Sequence, residues 1–477
     1  MSNLNNKILG GVFWTTFETI INRSLGFIIQ MVLARLLFPT DYGLVGMAVV
    51  FIAFVEVFNG LGMNAALIQK KEEKLTPLHF DTAFWTGVVW SILLYFIIFL
   101  MLTPIAVSFY KEELLGVIMP VLSIGILLSP INLVHRAQLM KSMNFKKLAI
   151  VNNISSFVSG GIALTLAFLD FGVWSLVFYS VSRVLVAIPL FFKATGWKPR
   201  WRWDKEIFKE IFGFGAYTTG TSLANKLTGN LDFILVGKLV GTDGLGFYSF
   251  AFMLTNVLRD QVVAIVNKVI YPVYASLQDD KKKMSEMFLK VISINNLIIY
   301  PIVLGVYLFV EDFLPIFFGE KWNESIPIIK ILCFAVFIQM LNNSHTNLLR
   351  AAGKVKLELL LQIIKSVVFF TPLIILGVYF NELEGAALGY TIATFLGVVL
   401  SFYFMHKIFN IRLIDVFQSV KVSLLMMLIC LPTTLLLKHY VFWMFCVVYF
   451  GVAVFLIYYI FAKDQLMVLL NKVRNKK

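Results

Sequence analysis

Apolar residues run through this chain in long blocks separated by short polar segments. Six blocks (83–110, 114–134, 148–169, 291–310, 385–405 and 439–462) carry no formal charge. Each reaches the roughly 20 residues that an α-helix needs to cross a bilayer. Other blocks are interrupted by one to three charges. Together they predict fourteen helical spans, near 8–33, 44–67, 80–103, 114–135, 148–169, 171–192, 211–236, 246–272, 289–310, 326–349, 357–379, 385–405, 417–437 and 440–462. The strict polar–apolar alternation of a membrane barrel is missing. The expected class is an all-α polytopic membrane protein.

Composition agrees. The 477 residues are 59% hydrophobic and only 14% charged, with 46 Phe. A soluble domain carries about 25% charged residues. That excludes a soluble enzyme, a disordered chain and a disulfide scaffold. The three cysteines (Cys333, Cys430, Cys446) fall inside spans and read as small apolar fillers, without metal-ligand or disulfide spacing. The first block follows Lys7 and runs too long for a cleavable signal sequence.

The formal charge of +14 is largely a topology signal. An even number of spans puts both termini on one side. The segments of that side hold 29 Lys and Arg, against five on the other. The positive-inside rule then predicts cytoplasmic termini. Because these cations are scattered over short loops, no nucleic-acid partner is expected. There is no phosphate-binding GxxxxGK[ST], no HExxH and no nucleophile elbow. Neither catalysis nor a cofactor is expected.

Residues 11–48 resemble 214–251 at a constant offset of 203. Thr15, Thr16, Asn22, Gly26, Leu36, Gly43 and Ala48 are matched by Thr218, Thr219, Asn225, Gly229, Leu239, Gly246 and Ala251. Arg23 pairs with Lys226, and Arg35 with Lys238. The offset spans six helices, which returns the chain to the same face. The repeats are therefore parallel, related by an axis along the membrane normal. The expected organisation is a six-helix lobe at 1–200, a second at 201–410, and a helix pair with a basic tail at 411–477. The segment 193–210, rich in Trp and basic residues, suits a helix lying on the headgroups between the lobes.

Seven cations lie inside the predicted spans: Arg23, Arg183, Lys226, Arg259, Lys268, Lys330 and Lys365. Glu18, Glu56, Asp232 and Asp260 oppose them there, with Asp81 at a span edge. A charge at a span centre costs roughly 2.5–3.5 kcal/mol on insertion scales. A water-filled cavity between the lobes, or ion pairing within a bundle, avoids that cost. Lys268, Lys330 and Lys365 sit close enough to span ends to snorkel. Arg23, Lys226, Arg183 and Arg259 are the candidate substrate-binding cations, and a cationic path favours an anionic cargo. Glu18, Glu56 and Asp81 are candidates for coupling to a cation, or for neutralising Arg23. Thr15, Glu18, Asn22 and Gly26 share one side of the first span, and Thr218, Asn225 and Gly229 the corresponding side of the seventh. Those stripes either line the cavity or bond across helices. Prolines 104, 120, 130, 189, 272, 301 and 372 are expected to bend their helices.

The segment LARLLFPTDYGLVGMA (33–48) is preceded by Gly11, Trp14 and Gln30 and followed by GLGMNAALIQK (60–70). It resembles the start of bacterial polysaccharide exporters, the Wzx-type lipid-linked oligosaccharide flippases of the MOP superfamily. The branch it is most similar to exports colanic or teichuronic acid type polymers. The resemblance covers nearly the whole chain, including the fourteen-span layout and HRAQLMKSMNFKK (135–147). It implies a MATE-like fold of two six-helix bundles in the bacterial inner membrane. It further implies alternating-access transfer of an undecaprenyl-diphosphate-linked repeat unit from the cytoplasmic to the periplasmic leaflet. The four named cations would then contact diphosphate or acidic sugars. Energy would come from an H+ or Na+ gradient or from consumption of the product by polymerase machinery. Two other readings differ in what they require. A cation-coupled drug exporter of the MATE type needs a dominant acidic site. A non-transporting scaffold of a polysaccharide assembly complex tolerates loss of Arg23 or Lys226.

Overall fold

A computed structural model of the chain describes residues 2–60, 63–70, 75–212, 226, 229–278 and 280–461. Among them there is no β-strand. The helices are α1 (Ser2–Leu36), α2 (Pro39–Asn59), α3 (Pro77–Tyr110), α4 (Leu115–Lys141), α5 (Phe145–Phe168), α6 (Val173–Thr195), α7 (Leu231–Ser276), α8 (Lys281–Phe317), α9 (Ser325–Ala351), α10 (Val355–Phe409), α11 (Leu413–Tyr440) and α12 (Trp443–Phe461). Two of these are folded into arms. Gly241 (φ 89°, ψ −168°) breaks α7, and Asn381 with Glu382 (φ 35°) breaks α10. Counting arms, fourteen helical segments match the fourteen predicted spans, although most of the start of the seventh span (213–225) lies outside the described residues. Among the described residues, ten stretches are long and apolar enough to cross a membrane. Their outward faces are apolar as well: Phe96, Leu100, Phe157 and Phe168 are at least half exposed. A bilayer accepts such a surface where water does not.

Helix ends follow local chemistry. Pro39 occupies the first turn of α2, and Asp41 Oδ2 accepts the Phe38 N–H at 2.9 Å. Asn144 Oδ1 caps α5 through the Lys147 N–H (3.2 Å). Asp280 caps α8 through the Lys283 N–H (3.0 Å), and that bond holds its carboxyl below the usual carboxylate range. Left-handed Lys111 and Gly196 end α3 and α6.

Only two of the listed prolines widen a helix to π form. The π turns at Ile98–Leu102 and Lys365–Phe370 each run into a Thr-Pro pair, Thr103-Pro104 and Thr371-Pro372. Proline lacks an N–H and its ring crowds the carbonyl four residues back. The preceding threonine bonds the carbonyl two steps further back: Thr103 Oγ1 donates to Ile98 O and Thr371 Oγ1 to Ser366 O, each at 2.9 Å. Pro120, Pro130, Pro189 and Pro301 sit inside continuous helices.

The chain divides into two compact units, 1–246 and 247–477. In the first, α5 packs on α1 and α6, while α4 packs on α3 and α6. The first arm of α7 also belongs to this unit. A side chain at Gly43 would overlap the Thr242 carbonyl, and one at Gly246 would overlap the Pro39 carbonyl. Thr242 is Pro39 displaced by 203 positions, and Gly246 is Gly43 displaced likewise. This is the reciprocal contact that a two-fold relation between repeats requires. In the second unit, α8 packs on α11 and α9, α9 on α10, and α11 on α12. One core there joins Tyr274, Phe288, Leu348, Met405 and Val420.

Candidate translocation site

In the first unit, the polar stripe of α1 turns toward α5. Asn152 Nδ2 donates to Glu18 Oε1 at 2.5 Å. Asn22 Nδ2 donates to Asn153 Oδ1, and Ser156 Oγ donates to Asn22 Oδ1. Glu18 and Asn22 therefore bond across helices within one unit. Arg23 is exposed and has no partner among the described residues. At about 100° per residue it lies about 140° around α1 from exposed Ile28 but only about 40° from exposed Phe27, with Thr19 and Gln30 on the same side. A side chain added at Gly26 or Gly229 would meet nothing within 4 Å among the described residues, so neither is a close helix contact.

Arg183 is exposed on α6, also without a partner among the described residues. It lies about 160° from Leu185 and about 140° from Phe178, the exposed apolar residues of that helix. Its exposed neighbour on its own side is Ser180. Arg183 thus projects away from the exposed large apolar residues of its helix, whereas Arg23 has exposed Phe27 beside it. Lys226 Nζ lies 3.8 Å from Glu56 Oε2, and both side chains are about half exposed. Asp81 is different. It is 1% exposed, and its Oδ1 accepts the Arg200 N–H at 3.0 Å. Its carboxylate fastens the 197–204 segment to the start of α3. The side chain of Thr15 and residues Thr218 and Asn225 lie outside the described residues.

In the second unit, Arg259 donates through Nε and Nη2 to Asp260 Oδ1 (2.9 and 2.7 Å) and through Nη1 to Gln339 Oε1. Gln339 Nε2 donates onward to the Tyr390 hydroxyl (3.1 Å). Asp260 itself is half exposed. The guanidinium is thus oriented by α9 and α10 while its ion pair stays open on one side. Lys330 pairs with Glu311 at 2.5 Å, and Lys365 Nζ lies 3.3 Å from His345 Nε2. The Lys268 side chain lies outside the described residues.

The sequence reading did not single out Asn152, Asn153, Ser156, Gln339 or Tyr390. A signal existed for the first three, which stand at i, i+1 and i+4 in an otherwise apolar block, on one helix side. Gln339 is the lone amide in the apolar run 331–340. Tyr390 had none, since tyrosine is common in spans.

A profile described as polysaccharide biosynthesis protein matches residues 32–327, more than half of the chain. The chain belongs to this family. The Escherichia coli (strain K12) lipopolysaccharide biosynthesis protein WzxC is 26% identical over 411 residues, which cover 85% of this chain and 82% of that protein. Among solved structures, the lipid II flippase MurJ in an inward closed conformation aligns with a TM-score of 0.71 at 14% identity, over 96% of this chain and 100% of that one. An inward-facing multidrug resistance MATE transporter of the MOP superfamily aligns at 0.63 and 14% identity, over 82% and 98%. At these identities the structures speak for the fold alone, and that fold is the MOP one. The resemblance read from residues 33–70 thus holds for family and fold. The chain is a multi-pass membrane protein.

Proposed function

We propose that this polysaccharide biosynthesis family member is a flippase. It carries an undecaprenyl-diphosphate-linked oligosaccharide repeat unit from the cytoplasmic to the periplasmic or outer leaflet, by alternating access. Its place is the bacterial cytoplasmic membrane with both termini inside, and its product feeds polysaccharide polymerase machinery. One observation carries the reading beyond family membership. Arg23 and Arg183 are exposed and lack carboxylate partners among the described residues, and Arg183 points away from Phe178 and Leu185, the exposed large apolar residues of its helix. Unpaired guanidiniums in a span need water or an anionic ligand. Arginine matches diphosphate and uronic acid geometry through paired N–H donors. Lys226, beside Glu56, and Arg259, held by Gln339, serve as further contacts to the diphosphate or acidic sugars. Asn225, Thr15 and Thr218 remain polar candidates beside them. A coupling H+ or Na+ falls to Glu56 or Glu18 rather than Asp81, whose carboxylate is committed to Arg200.

The test is export of the polymer in cells carrying Arg23→Gln with Lys226→Gln, expressed at the normal level. A fall of tenfold or more is expected. Unchanged export favours a scaffold and removes the cations from the path.

A further inference from the structure

The 193–212 segment does more than join lobes. It folds against the start of α3 and leaves a cavity of about 610 Å³. That volume lies within the roughly 300–1,000 Å³ of small-molecule sites. Its walls are Trp85, Trp90, Trp201, Trp203, Phe208 and Phe212, with Thr86, Val89 and Arg202 between them. The rings support one another: Trp85 and Trp201 lie 4.1 Å apart and Phe208 and Phe212 5.5 Å.

The chemistry of the lining decides what fits. Four indole N–H groups could address a polar ligand, and three of them, all but that of the exposed Trp201, are spent on the protein. Trp85 donates to Arg200 O (2.8 Å), Trp203 to Thr86 Oγ1 (3.1 Å) and Trp90 to Phe58 O (2.8 Å). Asp81 and Thr82 clamp the same segment through the Arg200 and Asp204 N–H groups. What remains toward the cavity is mainly ring face, with the Trp201 indole and the Arg202 side chain beside it. A sugar would need directed hydrogen bonds there; a hydrocarbon chain needs none. Arg202 lines the cavity, and the segment that carries it is cationic. Lys198, Arg200, Arg202 and Lys205 are exposed, and none has a carboxylate partner among the described residues. They belong to the basic side of the chain, where Trp and cations gather at the headgroup level of a bilayer.

We propose that this cavity holds one anionic glycerophospholipid, with an acyl chain against the tryptophans and its phosphate on Arg200 and Arg202. The lipid then braces the interlobe segment to the first unit. This site is separate from Arg23, Arg183, Lys226 and Arg259 and does not rest on the flippase reading.

The experiment uses the full-length, delipidated protein and native mass spectrometry. Phosphatidylglycerol and phosphatidylcholine of identical chains are titrated in turn. Wild type is expected to retain one phosphatidylglycerol about tenfold more tightly than phosphatidylcholine. Arg200→Gln with Arg202→Gln should lower phosphatidylglycerol affinity about 10–30-fold, the scale of two surface cations near a lipid phosphate. Val89→Trp fills the cavity, keeps both arginines and should abolish the same binding. Equal retention of the two lipids overturns the proposal, as does unchanged affinity in either variant. Displacement of phosphatidylglycerol by equimolar undecaprenyl phosphate overturns it in favour of an isoprenoid carrier. Should a variant unfold, quenching of wild-type tryptophan fluorescence by brominated-chain phosphatidylglycerol gives the same decision. It must exceed that by the brominated phosphatidylcholine.

Discussion

Asp81 and Arg183 carry formal charge in or beside apolar helices, yet their surroundings assign them different work. Asp81 is sealed and bonded to a backbone N–H. Asp81→Asn keeps an acceptor there and should leave melting and export nearly unchanged. Asp81→Ala should expose the Arg200 amide to hydrogen exchange at least tenfold faster, as expected when a buried bond worth about 1–2 kcal/mol is lost. If Asp81 bound a coupling ion, both variants would stop transport alike. Arg183 is open. In a chain whose buried cysteines (Cys333, Cys430, Cys446) are replaced by Ala, Arg23→Cys and Arg183→Cys should react with a membrane-impermeant thiol reagent. Failure of both to react would place them against lipid. Glu358 is a third case. It is 6% exposed and takes a two-pronged bond from Arg350 at 2.7 Å. Glu358→Ala should lower stability by about 1–3 kcal/mol, since Arg350 keeps partial access to water; the midpoint of thermal unfolding in detergent reads this.

At the scale of elements, two devices set helix geometry. The Thr-Pro pairs follow π turns, with the threonine donating both its backbone N–H and its hydroxyl to the carbonyl five residues back. Thr103→Val should cost about 1–2 kcal/mol, because Ile98 O loses a buried partner. Thr103→Ser should restore most of it, which a thermal-shift comparison can show. The glycine contacts are the second device. Gly43→Ala and Gly246→Ala each place a methyl group on a backbone carbonyl that cannot swing aside. Each should cost at least the 1–3 kcal/mol of ordinary overpacking. The two effects should be similar in size, because the repeat places both in equivalent surroundings. A large effect at only one would count against the two-fold relation.

For the whole molecule, hydropathy alone exposed the helical class, the span count and the long apolar surface. Bilayer crossing imposes a length and composition that single segments must satisfy without help from neighbours. The duplicated segment was equally plain, and so was the family, because residues 33–70 keep their order in the chain. The chemistry of the site was less legible. The sequence put Thr15, Glu18, Asn22 and Gly26 on one side of the first span, next to Arg23 in the chain. Tertiary packing divided them, with Glu18 and Asn22 bonded to α5 and Arg23 left open. It also bound Asp81 to the Arg200 amide of the 197–204 segment and gave Arg259 a partner, Gln339, from a helix 80 positions away. The aromatic cavity arises in the same way, from rings of α3 and of residues 201–212 brought together across more than a hundred positions. Periodicity tells which residues share a helix face, because that depends on neighbours three and four positions away. Which face meets another helix, water or lipid depends on distant segments, and only their packing decides whether a charge is buried, paired or free to hold an anion.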